Sequence, residues 1–383
     1  MRGDVQLDRR ELSGAVADLG VLIPIAVALI VTNGLQATAV LLPAGLLYLT
    51  VAAVYRLPIP VQPLKAFGAI AIAKGLGSDE IAAGALLMGV IFVLLGSTGL
   101  IDLAGRAFPK PLIRAVQLTV GLLLLSIAWK LVSHAPKSFE HALDPAIAIP
   151  LAICLTVAMI LLRSRPVTLV LVSVGAVITL LLGGGDLALG PSGIDAPSLD
   201  YDTFVTAFTV LVIPQLPLTF ANSCLATADA ARRYFGERAR RVRSGRLALT
   251  LGVANLLSGS ISGMPVCHGA GGLTAHRSFG ARTAGAPLMM GGALLVLALL
   301  LGAGLGALLT SFPLPILAAL LGAAGLLHVG LLRDLEGRRE WALAIGIGLL
   351  GFAWNLAPAL ALGLLIWWAP RLVSRLSARH SHA

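Results

Sequence analysis

Charge is what this 383-residue chain has least of: Asp, Glu, Lys and Arg make up only 12% of it, against 57% hydrophobic residues. Soluble domains carry roughly 25% charged residues, so a soluble globular chain and a disordered one are both excluded. Cysteine is also scarce. Cys154, Cys224 and Cys267 lie in or beside apolar stretches with no CxxC spacing, which excludes a disulfide scaffold and gives no zinc signature. The ~10-residue alternating segments of a transmembrane barrel are missing too. Acids are outnumbered, 18 to 28, for a net charge of +10. In a soluble chain that excess would suggest nucleic acid. Here the basic residues sit between apolar runs, so they read as topology markers and no nucleic-acid partner is expected. The N-terminal MRGDVQLDRRELSG is too charged for a signal-peptide core, and no targeting segment is expected.

What is present is a series of long apolar runs, such as AVLLPAGLLYLTVAAVY at 39–55. A spanning helix needs roughly 20 apolar residues. The predicted fold class is an all-α polytopic membrane protein of fourteen spans. They fall near 14–32, 36–55, 60–73, 80–98, 110–132, 145–162, 166–183, 202–228, 246–261, 265–276, 285–309, 314–332, 339–354 and 356–373. The third and tenth are too short to cross as ordinary helices. With an even count both termini share a side. Of the 28 Lys and Arg, 24 fall in loops on that side, seven of them within 232–246. Lys74, Lys130 and Lys137 fall opposite, and Lys65 lies inside a span. The positive-inside rule then makes both termini cytoplasmic, in an inner or plasma membrane.

An internal repeat is visible. Pro60-Val61 matches Pro265-Val266, Leu87-Met88-Gly89 resembles Met289-Met290-Gly291, and Pro109-Lys110-Pro111 resembles Pro313-Leu314-Pro315, all at a shift near 204. That shift spans seven helices, an odd number, so the halves 1–183 and 202–373 are expected to have inverted topology. No soluble domain follows, since the tail after Arg371 is too short to fold alone.

The paired short segments point to a binding site, because interrupted helices in matching positions of inverted repeats aim their N-termini at an anion. In PIPVQPLKAFG, Pro58, Pro60 and Pro63 impose extended chain, and helix begins near Pro63. In MPVCHGAGGLTAHRS, Pro265 marks a second extended approach, and Gly269, Gly271 and Gly272 bare the backbone. Free N–H groups and the positive dipole end make each start an anion cradle. The expected backbone ligands are Lys65, Ala66, Gly269, Ala270 and Gly271. Lys65 is the one cation assigned to a span and not to a loop or span end; it either supplies charge to an anionic substrate, pairs with Asp18 or snorkels to water. Asp18 itself reads as a coupling carboxylate, a partner for Lys65 or a helix-interface residue. Gln215, Thr219 and Asn222 share a face of span 8, either as oxyanion donors or as interhelical glue. Ser223, a further polar residue of that span, is noted beside them. Gln62 and His268 precede the two helix starts, and His268 either donates to an anion, titrates or is structural. Asn255 and His276 are weaker candidates. Catalysis is not expected: Cys267 and His268 are adjacent, and no acid orients them. No cofactor or metal is implied.

VQPLK after PIP, HGAGGLTAHRSFGART and QLPLTFANS resemble the hallmark segments of the molybdate transporter family, which is related to the sulphate permease (SulP) group. The resemblance covers essentially the whole chain. It implies fourteen helices in two inverted repeats. A core domain (spans 1–4 and 8–11) would move against a gate domain (spans 5–7 and 12–14). The chain departs from the family at Leu64, where Met is common, and lacks the cytoplasmic C-terminal domain usual in sulphate permeases. The expected function is secondary transport of a tetrahedral oxyanion, foremost molybdate with tungstate as a mimic. Sulphate or another small anion, a passive anion channel and a nucleobase permease are the alternatives. A coupling ion such as a proton, and a homodimer, are left open as partners beside the lipid bilayer.

Overall fold

The structure, a computed structural model, describes residues 5–16, 19–101, 103, 107–139, 141–162, 167–183 and 188–380, the last ten of these by backbone alone. Helix dominates. In order, the helices are α1 (Arg9–Ala15), α2 (Leu19–Asn33), α3 (Ala37–Val54), α4 (Lys65–Lys74), α5 (Ser78–Thr98), α6 (Lys110–Ser133), α7 (Pro145–Leu161) and α8 (Val167–Leu182). The second half adds α9 (Tyr201–Arg241), α10 (Ser244–Ser260), α11 (Ala270–Ser278), α12 (Gly285–Leu300), α13 (Gly302–Leu309), α14 (Leu314–Gly330), α15 (Arg338–Ala353) and α16 (Leu356–His380). These follow the apolar runs closely. Among the described residues, five helices are long and apolar enough to cross a membrane: α3, α5, α6, α9 and Leu314–Asp334, which continues α14. The count reaches seven if two bent pairs are single spans, α1 with α2 at 45° and α12 with α13 at 91°.

Proline sets several of these shapes. Pro109 and Pro313 stand at the N-caps of α6 and α14, with a second proline in each first turn, where the missing N–H costs nothing. Inside α9, Pro214 and Pro217 cannot donate to the helical ladder. The turns on either side, Ala207–Val212 and Thr219–Ala226, re-space to π geometry. Such local widening often marks a functional site.

Glycine sets the closest crossings. A Cβ on Gly121 of α6 would lie 2.7 Å from the Gly325 carbonyl of α14, and one on Gly325 would lie 2.8 Å from the Gly121 carbonyl. α3 meets α12 at Gly45 and Gly291, and α5 meets α10 at Gly89 and Gly252, in the same manner. These contacts bring backbones together as small residues do between membrane helices.

The sheet is minimal. β1 (Gln62–Pro63) pairs antiparallel with β2 (Val266–Cys267), Gln62 opposite Cys267 and Pro63 opposite Val266. This ladder lies in the middle of the buried core, which includes Ile59, Val61, Leu64, Met264 and Val266. It holds the two short helices α4 and α11 start to start.

Candidate functional site

Each short helix begins where its sequence stops being able to stay extended. Leu64 caps α4 in extended conformation, and its N–H donates to the Pro265 carbonyl at 3.1 Å. Gly269 caps α11 with φ −159. Neither cap supplies a side-chain acceptor. Among the described residues, the N–H groups of Lys65, Ala66, Ala270 and Gly271 donate to nothing. These are the donors that a helix start leaves unsatisfied, and they carry the positive end of the dipole.

Phe67, the third residue of α4, is different. Its N–H donates to Gln215 Oε1 at 3.0 Å, while Gln215 Nε2 donates to Thr219 Oγ1 at 3.0 Å. Gln215 and Thr219 are therefore spent on one another and on α4. They tie α9 to the start of α4, and the shared face expected of span 8 is broken by the π turn that begins at Thr219. Asn222, within that turn, is half-buried, and its side-chain amide has no hydrogen bond among the described residues. A Cβ on Gly269 would lie 2.6 Å from Gln62 Oε1 and 3.5 Å from Asn222 Nδ2. Gln62, Asn222 and Gly269 thus converge, from β1, α9 and the α11 cap. Ser223 is buried beside Asn222. Gly271 faces open space, where an added Cβ would meet nothing within 4 Å.

Lys65 is half-buried and makes no hydrogen bond or ion pair among the described residues. It lies close enough to His328 on α14 for the two to interact electrostatically. Sequence reasoning misses His328, because a single histidine 263 positions from Lys65 carries no local pattern that would flag it. Asp18 lies outside the described residues.

His268 faces the other way. It is fully buried, with Nδ1 2.9 Å from the Pro60 carbonyl and Nε2 3.3 Å from Thr250 Oγ1, and it stacks edge-on against Tyr55. Both ring nitrogens are engaged, so the donor role expected of His268 gives way to a structural one. His276 does the same for the Pro58 carbonyl at 3.0 Å. The reason lies in PIPVQP: alternate prolines leave a chain of carbonyls with few neighbouring donors, and buried carbonyls need partners. Asn255 completes the support, donating to the Val266 carbonyl and accepting its N–H, as a neighbouring strand would. Cys267 Sγ reaches the Pro63 carbonyl at 3.4 Å. Among the described residues no His, Cys, Asp and Glu cluster could hold a metal.

Main-chain donors at two helix starts joined by the β1–β2 ladder, with Lys65 opening one of them, are suited to a small anion. The family described as "Molybdate transporter of MFS superfamily" matches residues 10–124 and 207–327, which hold both helix starts and Gln215 to Asn222. The chain belongs to this molybdate transporter family. It is 29% identical over 374 residues to molybdate transporter 2 of Arabidopsis thaliana, covering 86% of this chain and 80% of that protein. Against molybdate transporter 1 of Chlamydomonas reinhardtii it is 27% identical, covering 89% and 87%. Among solved structures it aligns with the transmembrane domain of the cyanobacterial bicarbonate transporter BicA (TM-score 0.65, 18% identity, 92% of this chain and 97% of that one). It also aligns with murine Slc26a9 in its inward-facing state (TM-score 0.69, 16% identity, 95% and 68%). This family member is an integral membrane protein, mostly helical, with the SulP/SLC26 type of fold.

Proposed function

We propose that this chain is a secondary transporter of a tetrahedral oxyanion, foremost molybdate, bound between the starts of α4 and α11. The observation that carries the reading is that, among the described residues, the N–H groups of Lys65, Ala66, Ala270 and Gly271 have no acceptor at two helix starts joined by one ladder, with the Asn222 amide beside Gly269. The named relatives are molybdate transporters, which supports the choice of substrate. Gly269 and Gln62 complete the wall. Gln215 contributes by holding α4 in place, and His268 by holding the strand before it.

The reading includes fourteen spans in two inverted repeats, 1–183 and 202–373, with α4 and α11 as half-helices. Glycine crossings support it. Gly45 and Gly89 correspond to Gly252 and Gly291 at shifts near 204, and the contacts pair Gly45 with Gly291 and Gly89 with Gly252. Gly121 meets its own counterpart, Gly325. A two-fold axis exchanging the halves generates this pairing. The arginine-rich face is then cytoplasmic, with both termini. Alternating access follows from core helices that carry the cradle moving past a gate built on α6 and α14, with Lys65 facing the gate at His328. Asp18, outside the described residues, is retained as a candidate coupling carboxylate.

Calorimetric titration of the purified protein with molybdate, tungstate, sulphate and uracil tests the reading. Saturable binding of molybdate and tungstate, with none of uracil, is the expected result. Equal affinity for sulphate would widen the substrate class, and binding of uracil alone would defeat the proposal.

A further inference from the structure

We infer that the face opposite the arginine-rich one carries a second, recruiting anion site, held by Lys74 and Lys130 at the mouth of a cavity. The inference rests on the oxyanion reading above and extends it to a different place. The cavity, about 270 Å³, lies between α4, α9 and α6 and the turn joining α15 to α16. Its rim carries Lys74, at the C-terminal end of α4, and Lys130, in the last turn of α6. Ser126 and Asn355 add polar groups, and the buried Ile70 and Thr119 also line it. Ile70 is five residues along α4 from Lys65, about 7.5 Å of helix. The cavity therefore leads from solvent toward the cradle.

Charge distribution makes this mouth distinctive. By the positive-inside assignment, only three cations fall on this face, and two of them line one cavity. The remaining loops there are acidic. Three of their carboxylates are occupied as caps: Asp144 takes the Ala146 N–H, Asp200 the Thr203 N–H and Glu80 the Gly77 N–H. Among the described residues, neither lysine has an ion-pair partner. A cation in the last turn complements a helix dipole, which would account for one lysine on each helix. It does not account for both facing the same cavity on an otherwise acidic surface. A cleft lined by one sign of charge concentrates ions of the other, raising on-rates by factors of about 10 to 10³ in a salt-dependent way. A doubly charged oxyanion gains most from such a mouth, because its attraction scales with both of its charges.

The test is uptake of radiolabelled molybdate into proteoliposomes, with this face outward, at low and at physiological ionic strength. Lys74→Gln/Lys130→Gln should raise the KM about tenfold at low salt, change the maximal rate less than about twofold, and lose most of the salt dependence. Lys74→Arg/Lys130→Arg should behave like the parent, since it keeps both charges. An unchanged KM and salt dependence in the Gln pair, with a transporting parent, overturns the recruiting site alone. A fallen maximal rate with an unchanged KM also overturns it, because it assigns the lysines to the conformational cycle. A parent that neither binds nor transports molybdate, tungstate or sulphate overturns the oxyanion reading and takes this site with it.

Discussion

Gln215 Oε1 accepts the Phe67 N–H at 3.0 Å, so the third donor of α4 is satisfied while the first two find no acceptor among the described residues. The bond links α9, through its π-distorted middle, to the helix that carries Lys65. Removing it by Gln215→Leu orphans a buried N–H, which costs about 1–3 kcal/mol. Gln215→Glu keeps an acceptor of the same shape but adds negative charge beside the cradle. The Leu variant should melt lower than the parent. The Glu variant should fold yet bind molybdate at least about tenfold more weakly, a difference of roughly 1.4 kcal/mol that paired melting and titration measurements would register. Parent-like affinity in the Glu variant would place the anion away from this end of α4.

Lys65 is a cation within the helical core with no hydrogen-bonded or ionic partner among the described residues. A hydrogen bond to a charged group contributes roughly 1.5–3 kcal/mol. Lys65→Ala should therefore weaken oxyanion binding by about one to two orders of magnitude, and Lys65→Arg should retain part of it. Lys137→Ala, an exposed loop change, serves as the reference. Identical dissociation constants for Lys65→Ala and Lys137→Ala would remove Lys65 from the site.

His268 should matter for folding and not for affinity. Its ring nitrogens reach the Pro60 carbonyl and Thr250, and the ring is wholly buried. His268→Ala leaves that carbonyl unpaired and a void against Tyr55, so the variant should lose thermal stability by about 1–3 kcal/mol. Protein that survives, stabilised by lipid, should still bind molybdate within about threefold of the parent, roughly 0.6 kcal/mol. A stable His268→Ala protein with no oxyanion binding would return His268 to the ligand set.

These residues show where reading a sequence succeeds. The starts of α4 and α11 are legible because Pro63 and the Gly269 to Gly272 run are local determinants: each restricts or frees its own backbone, whatever packs around it. The apolar helices are legible for the same reason, since lipid demands long apolar runs. Orientation is not. Whether His268 turns toward an anion or toward Pro60 depends on which carbonyls the prolines leave unpaired across a sheet joined from residues 205 apart. Pro214 and Pro217 announce a defect in α9 but not its π geometry, which frees Asn222 and engages Gln215. That Lys74 and Lys130 line one cavity has no sequence signature, being made by the packing of α4 against α6.

Gly271 separates binding from packing more cleanly than any other position. The glycine that caps α11 and the two in its first turn admit two readings: they open the backbone to an anion, or they let helices pack. A Cβ on Gly271 would meet nothing within 4 Å, whereas one on Gly121 would lie 2.7 Å from the Gly325 carbonyl. Close packing therefore limits Gly121, while the space over Gly271 is open, as the proposed oxyanion site requires. Gly271→Val should fold, reach the membrane and melt within a few degrees of the parent, since replacing a helical glycine recovers roughly 0.5–1 kcal/mol of backbone entropy. Its molybdate affinity should fall by at least about tenfold, roughly 1.4 kcal/mol, because the isopropyl group occupies the volume in front of the Ala270 and Gly271 N–H groups. Gly121→Val should do the reverse, losing stability through backbone overlap while any folded fraction keeps its affinity. Normal melting together with normal affinity in Gly271→Val would move the oxyanion away from the start of α11.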